Sequence, residues 1–172
     1  IATLKPLMSR ETVNESSLLL GIEICTALGQ VEIANDFLAN YLRHIEGNLS
    51  RKRSLAKKLF SSKRYEESLQ IATMVLGGNP DDLQMLALII KIGQYSEHTE
   101  IALEAYHRMY DLGEAKESHL RLFANIAIKA ESTDDILLAI HRLVDFDIDA
   151  NATINPARIC ARSRALPSKN VV

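Results

Sequence analysis

Leu, Ile and Ala recur at helical spacing along the chain, and clusters of turn-forming residues interrupt them at short intervals. The breaks fall at Leu28-Gly29-Gln30, Glu46-Gly47-Asn48, Ser61-Ser62-Lys63, Gly77-Gly78-Asn79-Pro80, Tyr95-Ser96-Glu97, Leu112-Gly113-Glu114 and Glu131-Ser132-Thr133. They predict helices of about 12 to 18 residues. Several predicted starts have a physical reason. Asp81 and Asp82 after Pro80 put negative charge on a first turn, Ser132 or Thr133 can cap ahead of Asp134 and Asp135, and Asn155-Pro156 is a cap followed by proline at the first helical position. The run Leu86-Ala87-Leu88-Ile89-Ile90 would suit a buried strand, but it lies inside Asp81 to Gln94 with no turn residue, so helix is the reading there. Connections this short make successive helices pack antiparallel.

Composition agrees with an all-helical chain. Trp is absent, aromatics are 5%, and 7 Gly and 4 Pro are spread over 172 residues. The hydrophobic share of 47% and charged share of 24% describe a chain able to bury a core. A net charge of -2 gives no global field for nucleic acid, so no nucleic-acid partner is expected. No apolar run is long enough for a membrane span, and the N-terminus lacks a signal-peptide pattern. Cys25 and Cys160 form neither a CxxC nor a Cys/His spacing, which argues against a disulfide framework or a zinc site and suits a reducing cytoplasm. One domain is expected over residues 14–166, with 1–13 and 167–172 as frayed ends.

An internal repeat decides the expected architecture. On a 34-residue frame, residues 49–82 place Leu55-Ala56, Leu59, Tyr65, Ser68, Ala72, Val75 and Pro80 at the marked positions of a tetratricopeptide repeat, which this segment resembles. Small residues at Ala56, Ser68 and Ala72 let two helix backbones approach, and Tyr65 fills the turn. Weaker copies follow. Residues 83–116 carry Ile89-Ile90, Ala102, Tyr106 and Met109, with Gly93 at a core position; residues 117–150 carry Phe123-Ala124, Ala127, Ile140 and Leu143, with Ile136 at a small position and Ala139 suggesting a shift. Residues 14–48 carry Leu20-Gly21, Ala34, Leu38 and Tyr41, read with one extra residue in the turn. The resemblance implies a right-handed α-solenoid of antiparallel helix pairs, closed by a C-terminal capping helix near 156–166.

It also implies a concave groove lined by the first helix of each pair, where a partner's peptide or helix would lie. Two columns of the frame stand out there: Arg53, Ala87, Arg121 and Lys57, Lys91, Asn125. Four of these six positions are basic, where the overall share of Lys and Arg, 20 in 172, would give fewer than one. Arg and Lys on such a face suit an acidic peptide, and the residue types resemble a carboxylate clamp without reproducing its positions. Phe60 and Tyr95, near first-helix ends, would add apolar contact. The bland alternative is that these are solvated faces. The segment Arg43 to Arg64 is also basic, with Glu46 its only acid, yet no interleaved aromatics offer bases a stacking platform.

Catalytic patterns are missing. His44, His98, His107, His119 and His141 form no HxxxH or HExxH pair, and there is no GxGxxG, Walker-type loop or GxSxG elbow. Cys25 lies on an apolar helix face without a neighbouring His, and the paired aspartates suit caps. The sequence therefore predicts a non-enzymatic, cofactor-free, cytoplasmic scaffold or chaperone-like adaptor that binds a peptide or helix of a partner. Two other readings are open: a helical accessory region of a larger enzyme such as a transferase, or a self-associating solenoid marked by exposed apolar positions around Leu18 to Ile24 or Ile154 to Leu166.

Overall fold

The computed structural model describes residues 15–154, with side chains through 146. The capping helix expected near 156–166, its Asn155-Pro156 start, Cys160 and the segments 1–13 and 167–172 lie outside the described residues. Within them the fold is all-α, with no strand: α1 (Glu15–Ala27), α2 (Val31–His44), α3 (Leu49–Ser61), α4 (Tyr65–Gly78), α5 (Leu83–Gly93), α6 (Thr99–Asp111), α7 (Glu117–Lys129) and α8 (Thr133–Ile154). Consecutive helices pack, α1 on α2, α3 on α4, and α7 on both α6 and α8. The chain divides into two compact units between Met85 and Leu86. No helix among the described residues is long and apolar enough to cross a membrane.

The helix starts repeat. Val31, Tyr65, Thr99 and Thr133 open α2, α4, α6 and α8 at successive intervals of 34 residues, and Leu49, Leu83 and Glu117 open α3, α5 and α7 at the same interval. A shared turn produces much of this regularity. At the ends of α1, α3, α6 and α7 one residue takes a left-handed conformation: Gly29 (φ 69°), Lys63 (φ 60°), Gly113 (φ 73°) and Glu131 (φ 53°). In each case the next N–H closes back onto a carbonyl of the last helical turn: Gln30 to Cys25, Arg64 to Leu59, Glu114 to Met109 and Ser132 to Ala127, at 2.8–3.1 Å. Lys63 and Glu131 carry side chains where glycine is the less strained choice, so the turn is imposed by the packing of the helices around it.

The unbroken interval corrects the expected register of the first copy. No extra residue separates α1 from α2, and Gly21 and Ile22, not Leu20 and Gly21, occupy the buried pair of positions while Leu20 faces outward. A Cβ on Gly21 would meet the Phe37 ring at 2.8 Å, so α2 rests directly on the α1 backbone. In the last copy, Ala139 is in register with Ala105, Ile71 and Phe37, all buried, and marks no shift; Ile140, expected in the core, is exposed. The start of α5 is also corrected. Asp81 and Asp82 precede the helix instead of forming its first turn, and Asp82 caps it by accepting from the N–H groups of Gln84 (3.1 Å) and Met85 (3.2 Å).

Small residues control the close approaches. In the first unit Ala56, Ser68 and Ala72 are fully buried, and the Ser68 hydroxyl donates to the Ala56 carbonyl at 2.8 Å, tying α4 to α3 across their crossing. In the second unit a Cβ on Gly93 would lie 2.4 Å from that of Ala102 and 3.2 Å from Cδ1 of Ile126. The glycine that weakens the sequence match at 93 is therefore what lets α5 meet α6 and α7. Tyr106 of α6 stacks on Phe123 of α7 with ring centroids 4.0 Å apart, and the Arg142 guanidinium of α8 lies 3.3 Å from the centre of the Tyr110 ring.

Candidate functional site

In the first unit, the basic face of α3 is met by partners from its own fold. Arg51 pairs with Glu15 at 2.6 Å, Lys58 with Glu23 at 3.1 Å, and the Lys57 ammonium donates to Oε1 of Gln84 at 2.8 Å. Arg53 is half-buried and pairs through Nε with the buried carboxylate of Asp82. Just beyond the helix, buried Arg64 donates to Glu67 (2.7 Å), to Thr26 (3.3 Å) and to Asn35, joining the start of α4 to both α1 and α2. Much of the basic run between residues 43 and 64 is thus spent on internal structure. Arg53 stands out among the expected binding residues, because its charge is committed to an internal carboxylate; the exposed Lys57, one turn on, reaches a neutral amide. The half-buried Phe60 ring packs at 5.5 Å from that of Tyr65, which joins α3 to α4.

The second unit holds Lys91, Tyr95, Arg121 and Asn125. Lys91 is exposed near the end of α5, and Tyr95 is exposed in the turn that follows. Arg121 and Asn125 occupy one exposed face of α7, one turn apart; Arg121 donates through Nε and Nη2 to Glu117 Oε1 at 2.9 and 2.5 Å. Exposed i,i+4 pairs of this kind add little to stability and can exchange for an outside carboxylate. The structure sets α5 beside α7 through Gly93 and Ile126, and Lys129 at the end of α7 donates to the Ser96 carbonyl at 2.6 Å.

Sequence reasoning missed His119 and Lys116 on this side of the unit. The Lys116 N–H donates to Nδ1 of His119 at 3.2 Å, so the imidazole closes the start of α7 as a neutral acceptor. Burial pushes its pKa below the ordinary 6.5, and the charges of Lys116 and Lys91 push it further. The Lys91 charge on α5 is therefore felt at α7. A sequence signal existed only in the spacing of His119 three residues after the cap, a position where Glu or Gln is the familiar partner.

Elsewhere in the second unit, Asp135 holds His107 Nε2 at 2.9 Å and accepts from the Ser132 hydroxyl at 2.7 Å. The carboxylate lies between the other two groups, with the imidazole on one oxygen and the hydroxyl on the other, and the cluster fastens α8 to α6. Among the described residues no three His, Cys, Asp or Glu side chains converge as metal ligands, and Cys25 is buried in the first unit. No family model matches the chain, and neither a curated protein nor a solved structure is found to be similar to it.

Proposed function

We propose that the chain is a protein-binding scaffold built from tetratricopeptide-like helix pairs, which holds an acidic segment of a partner on the first-helix face of its second unit. The right-handed solenoid and the closing helix implied by the resemblance belong to this reading, and the 34-residue interval between helix starts supports it. The observation that carries the binding site is the close approach of α5 and α7 at Gly93 and Ile126, which sets exposed Lys91 on one helix beside exposed Arg121 on the other. Arg121 and Asn125 extend polar, exposed positions along α7. A carboxylate-rich peptide would gain charge-assisted bonds there.

The test titrates fluorescent peptides into the whole chain: one rich in Asp and Glu with a free C-terminus, one rich in Lys and Arg. Wild type is compared with Lys91→Glu and Arg121→Glu, both at exposed positions. Arg53 is left intact, because reversing it would undo the Asp82 cap. The proposal expects the acidic peptide alone to bind, with affinity falling at least tenfold in each variant and with added salt. Equal binding of both peptides, or variants that bind as wild type does, would overturn it.

One observation favours self-association as a second reading. Leu20 and Ile24 are exposed apolar residues on α1, followed by exposed Leu28 in the turn and Val31 at the start of α2. Sedimentation over a wide concentration range separates the two readings, since a patch that pairs chains gives a mass rising with concentration and a Leu20→Glu, Ile24→Glu variant that stays monomeric.

A further inference from the structure

Arg53 and Arg121 hold the same place in the repeat, two intervals of 34 residues apart, yet their carboxylate partners differ in kind. Arg53 pairs with Asp82, a buried residue from outside its own helix, and the pair fixes one helix against another. Arg51 and Lys58 on the same helix likewise reach across to α1, at Glu15 and Glu23. Arg121 instead pairs with Glu117 of its own helix, four residues back, with side chains 66% and 53% exposed. That pair ties no helix to another. α7 is held in the unit by Leu120, Phe123, Ile126 and Ala127, all buried, with no help from Glu117.

What the pair does is occupy the guanidinium. Oε1 of Glu117 accepts from both Nε and Nη2, at 2.9 and 2.5 Å, and so fills the edge through which an outside carboxylate would dock side-on with two bonds. The pair is neutral as a whole, so it exerts little long-range pull on an acidic segment. Lys91 differs, because no carboxylate among the described residues pairs with it. A carboxylate tethered on the same helix competes at an effective concentration on the order of millimolar, well above that of a dilute ligand. A segment already held on this side of the unit presents its own carboxylate at a similar effective concentration and can exchange with it.

Resting on the acidic-peptide reading above, we propose that Glu117 is a built-in competitor of the ligand. It holds the Nε edge of Arg121 until a carboxylate of the bound segment displaces it, and so lowers the affinity of the site for acidic segments.

Titration of the whole chain with the fluorescent acidic peptide tests this in wild type, Glu117→Gln, Arg121→Gln and the double variant. Glu117→Gln should bind about threefold more tightly, the effect expected of losing an exposed pair four residues apart together with one like charge beside the ligand. No more than half of that gain should remain in the Arg121→Gln background, because a competitor acts only where there is a guanidinium to hold. Nuclear magnetic resonance adds a measurement that needs no change at 117. Saturating acidic peptide should move the Glu117 carboxyl carbon of the wild type to its position in Arg121→Gln, where the carboxylate has lost its partner. A Glu117→Gln variant that binds as wild type does, a gain undiminished in the Arg121→Gln background, or a Glu117 carboxyl unmoved at saturation each overturns the competition and leaves acidic-peptide binding in place. An acidic peptide that binds neither wild type nor Glu117→Gln overturns the site itself, and the competition with it.

Discussion

Arg53 on α3 donates through Nε to one oxygen of the Asp82 carboxylate, while the other oxygen of Asp82 caps the first turn of α5. One buried side chain therefore satisfies two helix N–H groups and a half-buried guanidinium, and fixes where α5 begins relative to α3. Replacing Asp82 by Ala removes the cap and strands Arg53, for an expected loss of roughly 1–3 kcal/mol in denaturant unfolding. Asp82→Asn keeps a capping oxygen and loses the ion pair, so its loss should be smaller. An Asn variant as damaging as Ala would mean that the pair, not the cap, dominates.

The backbone contact at Gly93 makes a second, geometric prediction. A methyl group there would lie 2.4 Å from the Ala102 Cβ, inside any tolerable contact, and both atoms sit on rigid helices. Gly93→Ala should cost about 1–3 kcal/mol through overpacking, despite the better helix propensity of Ala. Adding Ala102→Gly should recover part of that loss, because it removes the struck atom and leaves only the softer contact with Ile126. A double variant no better than Gly93→Ala would place the strain elsewhere. Thermal unfolding of the single and double variants reads the difference.

Helix content and the 34-residue interval were legible in the sequence because they depend on local signals, turn residues at fixed offsets and apolar spacing between them. Register was legible in the copy with several small residues, at Ala56, Ser68 and Ala72, and carried over at the same interval to Ile89, Ala102 and Phe123, which are buried as well. Where a single Gly stood in for them, at Gly21, the frame slipped by one residue, since sequence does not reveal which neighbour presses on a glycine until the Phe37 ring is seen there. Lys-turns such as that at Lys63 lack the glycine signature altogether. The basic columns were visible as a pattern, but whether each charge is committed was not: Arg53 meets Asp82 from 29 positions away, and Arg64 meets Asn35 at the same separation. Pairings at that distance depend on the packing of helix pairs, which charge counting along the chain does not resolve.

Tyr41 supplies a titration in the first unit. Its hydroxyl donates to Oε1 of Glu15 at 2.9 Å, and burial first, then that bond and the Glu15 charge, push its pKa up to about 12. The folded value lies above the ordinary 10.0, so the protonated hydroxyl favours the native state: its contribution is complete below pH 10 and is lost as pH rises toward 12. Absorbance near the phenolate band should show a late step, to which Tyr106 also contributes because burial raises its pKa, and Tyr41→Phe should shrink that step while lowering stability by about 1 kcal/mol at neutral pH. Glu15→Gln should bring the step down only in part, since burial is the larger cause.

His119 works in the opposite direction. Its folded pKa lies below the unfolded 6.5, chiefly through burial and then through Lys116 and Lys91, so protons bind the unfolded chain more readily. The native state therefore holds its full advantage above pH 6.5 and loses it as pH falls below that value toward the folded pKa. Protonation also removes the Nδ1 acceptor used by the Lys116 N–H, which loosens the start of α7. His119→Asn can accept the same N–H and does not titrate, so unfolding measured at pH 7.5 and pH 5.5 should show a smaller acid loss in the variant than in wild type. By nuclear magnetic resonance the His119 ring should titrate below 6.5, and Lys91→Ala should raise that value without restoring 6.5, because the burial remains. A ring that titrates at 6.5 or higher in wild type would overturn the predicted acid sensitivity.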